Sequence, residues 1–381
     1  MRFSGPLAGL VMGFALAIPA LADNHADLEA CRFAGVISKA DQSIKACDRV
    51  IDDPKVSGPD RAAALGNRCG WWWTKKDPDR ALADCNEAIR LDPTSAAVYI
   101  NRGNAYLNKA DVDRAFADFD SAIRLDPNSA WAHTARGDLY RSKGDVAHAM
   151  ADFSEAIRLD PGYAKAYFFR GDLYKHNGDF DRAMADLSEA IRLDPNDAMA
   201  YFTRGGVSYI MGNDPGALSD FSKSIQLDPR NAAAFLSRGV AYFIIGGRVA
   251  DAEADFRKAS ELNPRDAYAA LWRDLAERRN GVPSHLPQAV KQLDMTAWPA
   301  PLLRHFLGEL SASQLLAAAH DNDPKTALGQ SCEANFYSGE FALSKKNKPE
   351  ALRLLQLAAK DCPRGYIEST AAIAELIAQR H

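Results

Sequence analysis

Small, aromatic and apolar residues return along the chain with a period of 34 residues. The prolines at positions 93, 127, 161, 195 and 229 are each 34 apart, and another follows at 264. With Ala130 as position 1 of one period, the recurring positions are 8, 11, 20, 24, 27 and 32. In this period they hold Gly137, Tyr140, Ala149, Phe153, Ala156 and Pro161. A fixed period of this length is typical of stacked supersecondary units.

The spacing predicts two antiparallel helices per period, joined by a turn near residues 143–145. Glycine and alanine at positions 8 and 20 let the two helices approach closely, and aromatic residues fill the space between them. An Asp-Pro pair ends the second helix, because proline disfavours helical geometry at the residue before it. One hairpin cannot bury its apolar face alone, so neighbouring hairpins must stack.

Six periods follow one another. They occupy residues 62–95, 96–129, 130–163, 164–197, 198–231 and 232–266, and together make a predicted domain of residues 62–266. We expect a capping helix over 267–281 and a proline-rich connector with short helices over 282–331. A detached copy of the unit and a closing helix are predicted in residues 332–381. Residues 23–60 read as a degenerate helical hairpin, with helices at 28–37 and 43–51.

These repeats resemble the tetratricopeptide repeat (TPR), on the shared positions of residues 62–266. The resemblance implies an all-α fold, a right-handed superhelical solenoid of helix-turn-helix repeats, with one further TPR-like hairpin in the C-terminal region. It also implies a concave face that is lined by the first helices and binds peptides or proteins.

The net charge and the N-terminal residues indicate which partners and which location to expect. The chain has 381 residues, a net charge of −4 and interspersed charges, so no nucleic-acid partner is expected. Residues 1–22 read as a cleavable signal peptide: a basic start, an apolar run of about 12 residues that is short for a membrane span, and Ala20-Leu21-Ala22 as the cleavage pattern. An uncleaved anchor is the alternative. Cys31 has no lipidation context, so we expect a periplasmic or secreted protein with no integral membrane segment after cleavage.

Six cysteines then suggest disulfides. The spacings are 16, 16 and 30 residues, and each pair is centred on the turn of a predicted hairpin, where residues equidistant from the turn face each other. We therefore predict Cys31–Cys47, Cys69–Cys85 and Cys332–Cys362. Redox chemistry or metal binding is the alternative, but no pair has C-x-x-C spacing and none lies beside a histidine at ligand spacing.

In TPR proteins, positions 2, 5, 9, 12 and 13 of a repeat point into the groove. The resemblance thus gives a candidate partner-binding groove, to which we add Trp73, the third residue of a Trp-Trp-Trp run whose members cannot all face one core. The candidate residues are Trp73, Trp131, Thr134, Asp138, Arg141, Lys165, Phe168, Asp172, Lys175, Phe202 and Tyr209. In the fifth and sixth repeats this surface is apolar, and the alternative is that the chain's own residues 282–381 cover it. Packing is the alternative for the three tryptophans of that run, Trp71, Trp72 and Trp73.

The sequence contains no nucleophile elbow, phosphate loop or metal motif. His133 occupies a repeat core position, and the aspartates at position 23, including Asp118 and Asp152, belong to the repeat pattern. We therefore expect neither catalysis nor a cofactor.

The C-terminal part resembles the NlpI-like periplasmic repeat proteins. The strings that carry this resemblance are Trp298–Leu302, Gly308, Cys332–Tyr337, Glu368, Ala371 and Glu375-Leu376. The family implies an adaptor that brings envelope proteases and cell-wall hydrolases together. The leading hypothesis is therefore an exported scaffold for other envelope proteins or peptides, with homo-oligomerisation left open. The second is a glycan- or small-ligand-binding component of an envelope assembly or secretion machine.

Overall fold

The chain folds into successive helical hairpins. The structure, a computed structural model, describes residues 25–32, 37–245, 248–362 and 367–379, so the predicted signal peptide, residues 1–22, lies outside the described residues. Within them the chain has 21 α-helices, two short 3₁₀ segments and no β-strand. The prediction of an all-α fold of successive helix-turn-helix repeats is confirmed.

The chain divides into two compact units, residues 1–170 and 171–381. The division falls within the ninth helix, inside the fourth predicted repeat. The helices of the first unit are α1 (His25–Cys31), α2 (Ala40–Asp52), α3 (Gly58–Thr74), α4 (Pro78–Leu91), α5 (Ala96–Asn108), α6 (Val112–Leu125), α7 (Ala130–Ser142), α8 (Val146–Leu159) and the start of α9 (Ala164–His176).

The second unit contains the rest of α9 and twelve more helices. They are α10 (Phe180–Leu193), α11 (Ala198–Ile210), α12 (Asp214–Leu227), α13 (Ala232–Ile245), α14 (Val249–Leu262), α15 (Ala267–Asn280), α16 (Leu286–Ala289), α17 (Ala300–Phe306), α18 (Ala312–Ala318), α19 (Pro324–Ser344), α20 (Lys348–Asp361) and α21 (Ile367–Ala378).

Local signals explain where the repeat helices begin and end. In the third repeat, Gly144 takes a left-handed φ of 78° in the turn, which glycine adopts without steric cost. The next residue, Asp145, caps α8 by accepting a hydrogen bond from the backbone N–H of His148 at 3.2 Å, as aspartate does at helix N-termini. Asp160 then ends α8 with extended backbone before Pro161.

Close approach of the paired helices depends on the glycine at position 8. A Cβ atom on Gly137 would lie 2.8 Å from Cε1 of Phe153, and one on Gly103 would lie 2.5 Å from Cε1 of Phe119. Both phenylalanines are fully buried. The predicted roles of glycine and the aromatic residue within a hairpin are therefore met in each of these two repeats.

In the second unit, the C-terminal region joins the core of the fifth and sixth repeats. Tyr209, Leu236 and Phe243 belong to the same buried cluster as Phe306 of α17 and Ala371 of α21. At Tyr209, Leu236 and Phe243 the apolar surface of these repeats is thus covered by the chain's own C-terminal region, which was the alternative to an open groove.

Two predicted helix boundaries need correction. Helix α19 begins at Pro324, eight residues before Cys332, because Asp323 caps it by accepting a hydrogen bond from the Thr326 N–H at 2.9 Å. Helix α1 ends at Cys31, earlier than the predicted end at 37, and residues 33–36 lie outside the described part of the chain.

The six cysteines lie where three hairpins bring them together. Their Cα atoms are 4.7 Å apart for Cys31 and Cys47, 5.5 Å for Cys69 and Cys85, and 4.9 Å for Cys332 and Cys362. These distances are within the usual range for a disulfide, and each pair of sulfur atoms is at bonding distance. The three predicted pairings are therefore compatible with the fold.

Candidate partner-binding surfaces

The first unit presents a polar and aromatic surface on α7 and the start of α9. We call it the α7–α9 face and define it by Trp131, Asp138, Arg141, Lys165 and Phe168, all of which are half-buried. Arg141 donates two hydrogen bonds to Oδ1 of Asp138, at 2.9 Å from Nε and 2.6 Å from Nη2. The face therefore presents a fixed acid–base pair beside aromatic rings.

The aromatic rings of this face rest on the repeat core. The Phe168 ring meets the Phe169 ring edge to face at 5.3 Å, and Phe169 stacks on buried Phe153 at 5.7 Å. The Arg141 guanidinium lies 5.7 Å from the Phe169 ring centre, within the range of a cation–π interaction. Phe168 is thus held by packing on one side and keeps part of its surface for a partner.

Trp131 and Trp73 take part in core packing to a greater extent than Phe168. The Trp131 ring meets Phe119 at 5.8 Å and contacts apolar clusters of the second and third repeats. Trp73 packs against both the N-terminal hairpin and the first repeat, while its neighbour Trp71 is fully buried. Packing, which was the alternative for Trp73, accounts for most of its surface, and the same holds for Trp131.

Thr134 is not a groove residue, contrary to the prediction. It is 3% exposed, and its hydroxyl donates to the backbone oxygen of Ala130 at 2.9 Å. A threonine inside a helix satisfies its hydroxyl this way, so Thr134 has neither the exposure nor the free donor that partner contact needs.

In the second unit, two of the predicted residues remain at the surface and two do not. Asp172 and Lys175 are half-buried, with Lys175 Nζ 3.8 Å from Oδ1 of Asp172. Phe202 packs against the core that α21 shares, with its ring 6.0 Å from the Phe221 ring. Tyr209 is 5% exposed in that core. Tyr209 is therefore excluded as a groove contact, because the C-terminal region fills the space in front of it, and Phe202 keeps only part of its surface.

Sequence reasoning missed an arginine at position 7. Arg136 donates from Nε and Nη2 to the two carboxylate oxygens of Asp152 at 2.9 and 2.8 Å, and from Nη1 to Asp120 of the preceding repeat at 2.9 Å. Each such arginine thus closes its own hairpin and ties it to the one before; we call this arrangement the arginine clamp. The same geometry holds at Arg68, Arg102, Arg204 and Arg238.

Comparison with known proteins supplies the family. A sequence profile of the tetratricopeptide repeat matches residues 74–130, 100–164, 134–198, 168–232 and 211–267, which together span just over half of the chain. The chain belongs to the tetratricopeptide repeat family. The TPR solenoid class inferred from the 34-residue period is thereby confirmed. A comparison with curated protein sequences gave no match.

Several solved TPR structures are similar to part of the chain. PilF of Pseudomonas aeruginosa is 16% identical over 56% of this chain and 97% of its own, with a TM-score of 0.51, and this likeness concerns the fold alone. YrrB, described as a TPR protein with an unusual peptide-binding site, is 28% identical over 49% of this chain and 95% of its own, with a TM-score of 0.40. MamA is 29% identical over 42% and 93%, with a TM-score of 0.38.

The clamp aspartates of these TPR units differ in their electrostatics. Burial raises the pKa of Asp118 and outweighs the opposing hydrogen bonds from Arg102. Burial also acts to raise the pKa of Asp152, but there the hydrogen bonds from Arg136 and His133 together bring the pKa below its ordinary value. His133 lies 3.0 Å from Oδ1 of Asp152 through Nδ1. The buried histidine therefore serves the TPR core, as its repeat position predicts.

TPR repeats generally serve as scaffolds that bind peptides or proteins rather than as enzymes. Among the described helices, none combines the length and the apolar character needed to cross a membrane. Three or more His, Cys, Asp or Glu side chains do not come together as a metal-binding group anywhere in the described residues.

Proposed function

We propose that this chain is an exported, non-enzymatic TPR scaffold that binds other cell-envelope proteins or peptides through its α7–α9 face. The observation that carries this proposal is Phe168, a half-buried aromatic side chain packed against Phe169. The Phe169 ring also lies 5.7 Å from the guanidinium of Arg141, the partner of Asp138. Rigid aromatic anchors with neighbouring charges are the chemistry of binding hot spots.

The proposed location rests on two features of the sequence. The N-terminal pattern resembles a cleavable signal peptide, and Cys31 has no lipidation context, which supports a periplasmic or secreted location. All six cysteines lie in pairs of disulfide-compatible geometry, and such bonds persist in oxidising compartments.

The finer proposal concerns the kind of partner. The resemblance of the C-terminal strings to the NlpI-like periplasmic repeat proteins supports an adaptor that links envelope proteases or cell-wall hydrolases. Two residues of those strings, Trp298 and Glu333, are joined by a hydrogen bond of 2.8 Å from Nε1 to Oε2. The resemblance therefore falls on side chains that shape the C-terminal region.

Crosslinking and affinity capture in the cell envelope test the proposal. We expect a reproducible protein partner that is lost when Phe168→Ala removes the anchor. Leu125→Ala is the matched control, because Leu125 is apolar, 41% exposed and lies at the end of a second helix of a repeat. Far-UV circular dichroism checks that both variants fold.

Three outcomes would contradict this function. Retention of a glycan or a small molecule without a protein partner would favour the second hypothesis. Equal capture by the Phe168→Ala variant and the wild type would exclude the α7–α9 face. Recovery of the protein only in the cytoplasm would exclude the envelope location.

A further inference from the structure

An acidic and aromatic group of side chains lies in the C-terminal part of the second unit. We call it the acid–aromatic cluster and define it by Tyr268 of α15, Trp298 of the connector, Glu333 and Tyr337 of α19, and Glu368 of α21. None of these residues belongs to the α7–α9 face, so the cluster is separate from the surface through which the proposed function is expected to act.

Glu333 is held at the edge of the cluster. The Tyr268 hydroxyl and the Trp298 Nε1 donate to the same oxygen of Glu333, Oε2, at 2.7 and 2.8 Å. Within the described parts of the chain, no donor reaches the second oxygen, Oε1. All three side chains are half-buried, so this part of the cluster is open to a ligand from solvent.

Glu368 lies deeper and faces an acid rather than a base. It is 6% exposed, and burial followed by the charge of Glu333 raises the pKa of its carboxyl to about 8. Among the described side chains, the charged one that acts on the Glu368 carboxyl is Glu333. Burial of a carboxylate without a positive partner is unfavourable.

A cation of α15, the helix that carries Tyr268, is already engaged with other acids. Arg279 of α15 contacts Glu340 at 2.6 Å and Glu375 at 2.7 Å through Nη2. It therefore pairs with two other acids, and among the described residues no basic side chain forms an ion pair with Glu333 or Glu368.

Two buried tyrosine hydroxyls give a second, independent sign of a ligand. Tyr337 is fully buried and Tyr209 is 5% exposed, and neither hydroxyl has a hydrogen-bond partner within the described residues. Burial raises the pKa of both hydroxyls, and the charge of Glu368 adds to that rise. A buried polar group without a partner is unusual in a native protein and calls for an explanation.

We propose that the acid–aromatic cluster binds an alkylammonium group, such as a lysine side chain presented by a partner. An ammonium carries three N–H donors, enough for Oε1 of Glu333, the Glu368 carboxylate and the Tyr337 hydroxyl oxygen. The rings of Tyr268 and Trp298 suit its positive charge, because aromatic faces attract cations. The ligand offsets both uncompensated carboxylates at once.

Calorimetric titration of the full mature chain with n-butylammonium chloride tests this site. We expect saturable binding at pH 9, measured against sodium chloride at the same ionic strength, and a loss of about tenfold or more in affinity in Glu333→Gln and in Glu368→Gln, the range expected when one charged partner is removed. Glu350→Gln is the matched control, since its side chain is 37% exposed and pairs with Arg353 on α20. It should bind like the wild type.

Several outcomes of this titration would overturn the proposed alkylammonium site. Absence of saturable binding to the wild type overturns the proposal, as do unchanged affinities in both glutamine variants. Equal binding of 1-butanol would show an apolar site with no preference for charge and would also overturn it. Circular dichroism verifies folding, and Tyr268→Phe, which keeps the ring and removes one bond to Glu333, provides a milder second variant. The test needs no protein partner, so its failure is distinct from failure at the α7–α9 face.

Discussion

Removal of one arginine clamp is expected to weaken the first unit far more than removal of an exposed ion pair. The change is Arg136→Met, which keeps an unbranched apolar stem and deletes the guanidinium. It breaks two hydrogen bonds to Asp152 and one to Asp120. The side chains of Arg136 and Asp152 are 19% and 7% exposed, so water replaces little of what is lost.

The expected cost follows from that burial. Breaking a fully buried pair costs about 3–5 kcal/mol, because the remaining charge is left without its partner. Here His133 still contacts Asp152 at 3.0 Å and Arg136 is partly exposed. We therefore expect a loss of roughly 2–3 kcal/mol in the free energy of unfolding.

Urea unfolding followed by far-UV circular dichroism measures this loss. The control is Arg158→Met, which removes an arginine of the same type from a pair with Glu155 whose side chains are 66% and 36% exposed. That change should cost about 0.2–1 kcal/mol. A double-mutant cycle with Asp152→Asn isolates the coupling between Arg136 and Asp152. Equal costs for the Arg136 and Arg158 variants, or additive effects in the cycle, would refute the clamp.

Three further changes probe the packing, the disulfides and the buried acids. Gly137→Ala should cost about 1–3 kcal/mol in urea unfolding, because its Cβ would lie 2.8 Å from the buried Phe153 ring, whereas Gly58→Ala, which meets no atom within 4 Å, should cost less than half of that. Replacing Cys69 and Cys85 by serine should lower the free energy of unfolding by about 3 kcal/mol, and an unchanged midpoint would contradict the bond. Burial raises the pKa of Glu340 from 4.5 to about 7, so the free energy of unfolding should fall as pH rises from 4.5 to about 7 and then level off. Glu340→Gln should flatten that dependence.

The 34-residue period predicts the contacts that form between residues of the same repeat. Gly137 and Phe153 are 16 positions apart and meet across one hairpin, so their spacing alone identifies the contact. The cysteine pairs obey the same rule, because equidistance from a turn places two side chains opposite each other. Contacts of this kind depend on local geometry, which a repeated pattern displays several times over.

The arginine clamp was within reach of the same reasoning. An arginine recurs at position 7 and an aspartate at position 23, as in Arg136 and Asp152, again 16 residues apart like the glycine and its aromatic partner. The position-23 aspartates are predicted as part of the repeat pattern, but no prediction is made for the arginines at position 7. Their third bond, to the preceding repeat, explains why a residue on a helix flank is kept in each unit.

Contacts made by distant segments could not be predicted in the same way. Tyr209 occupies a groove position by its place in the repeat, yet α21 and its neighbours bury it. The residue pattern of the fifth repeat does not predict this burial. The acid–aromatic cluster likewise joins Tyr268, Glu333 and Glu368, which are separated by 65 and 35 positions. Only the folded C-terminal region brings them together.

Different positions of a repeat hold the scaffold together and form the proposed binding surface, so the two roles can be tested separately. The clamp and the glycine–aromatic contact use positions 7, 8, 23 and 24, whereas Asp138, Arg141 and Phe168 occupy positions 9, 12 and 5. The Phe168 ring packs against the Phe169 ring, and the Phe168 side chain has no polar group that could join the arginine clamp. Changes at Phe168 should therefore alter partner binding with a small effect on unfolding, while changes at Arg136 should do the reverse. A Phe168→Ala variant that unfolded as readily as an Arg136→Met variant would show that the anchor belongs to the scaffold and not to a binding surface.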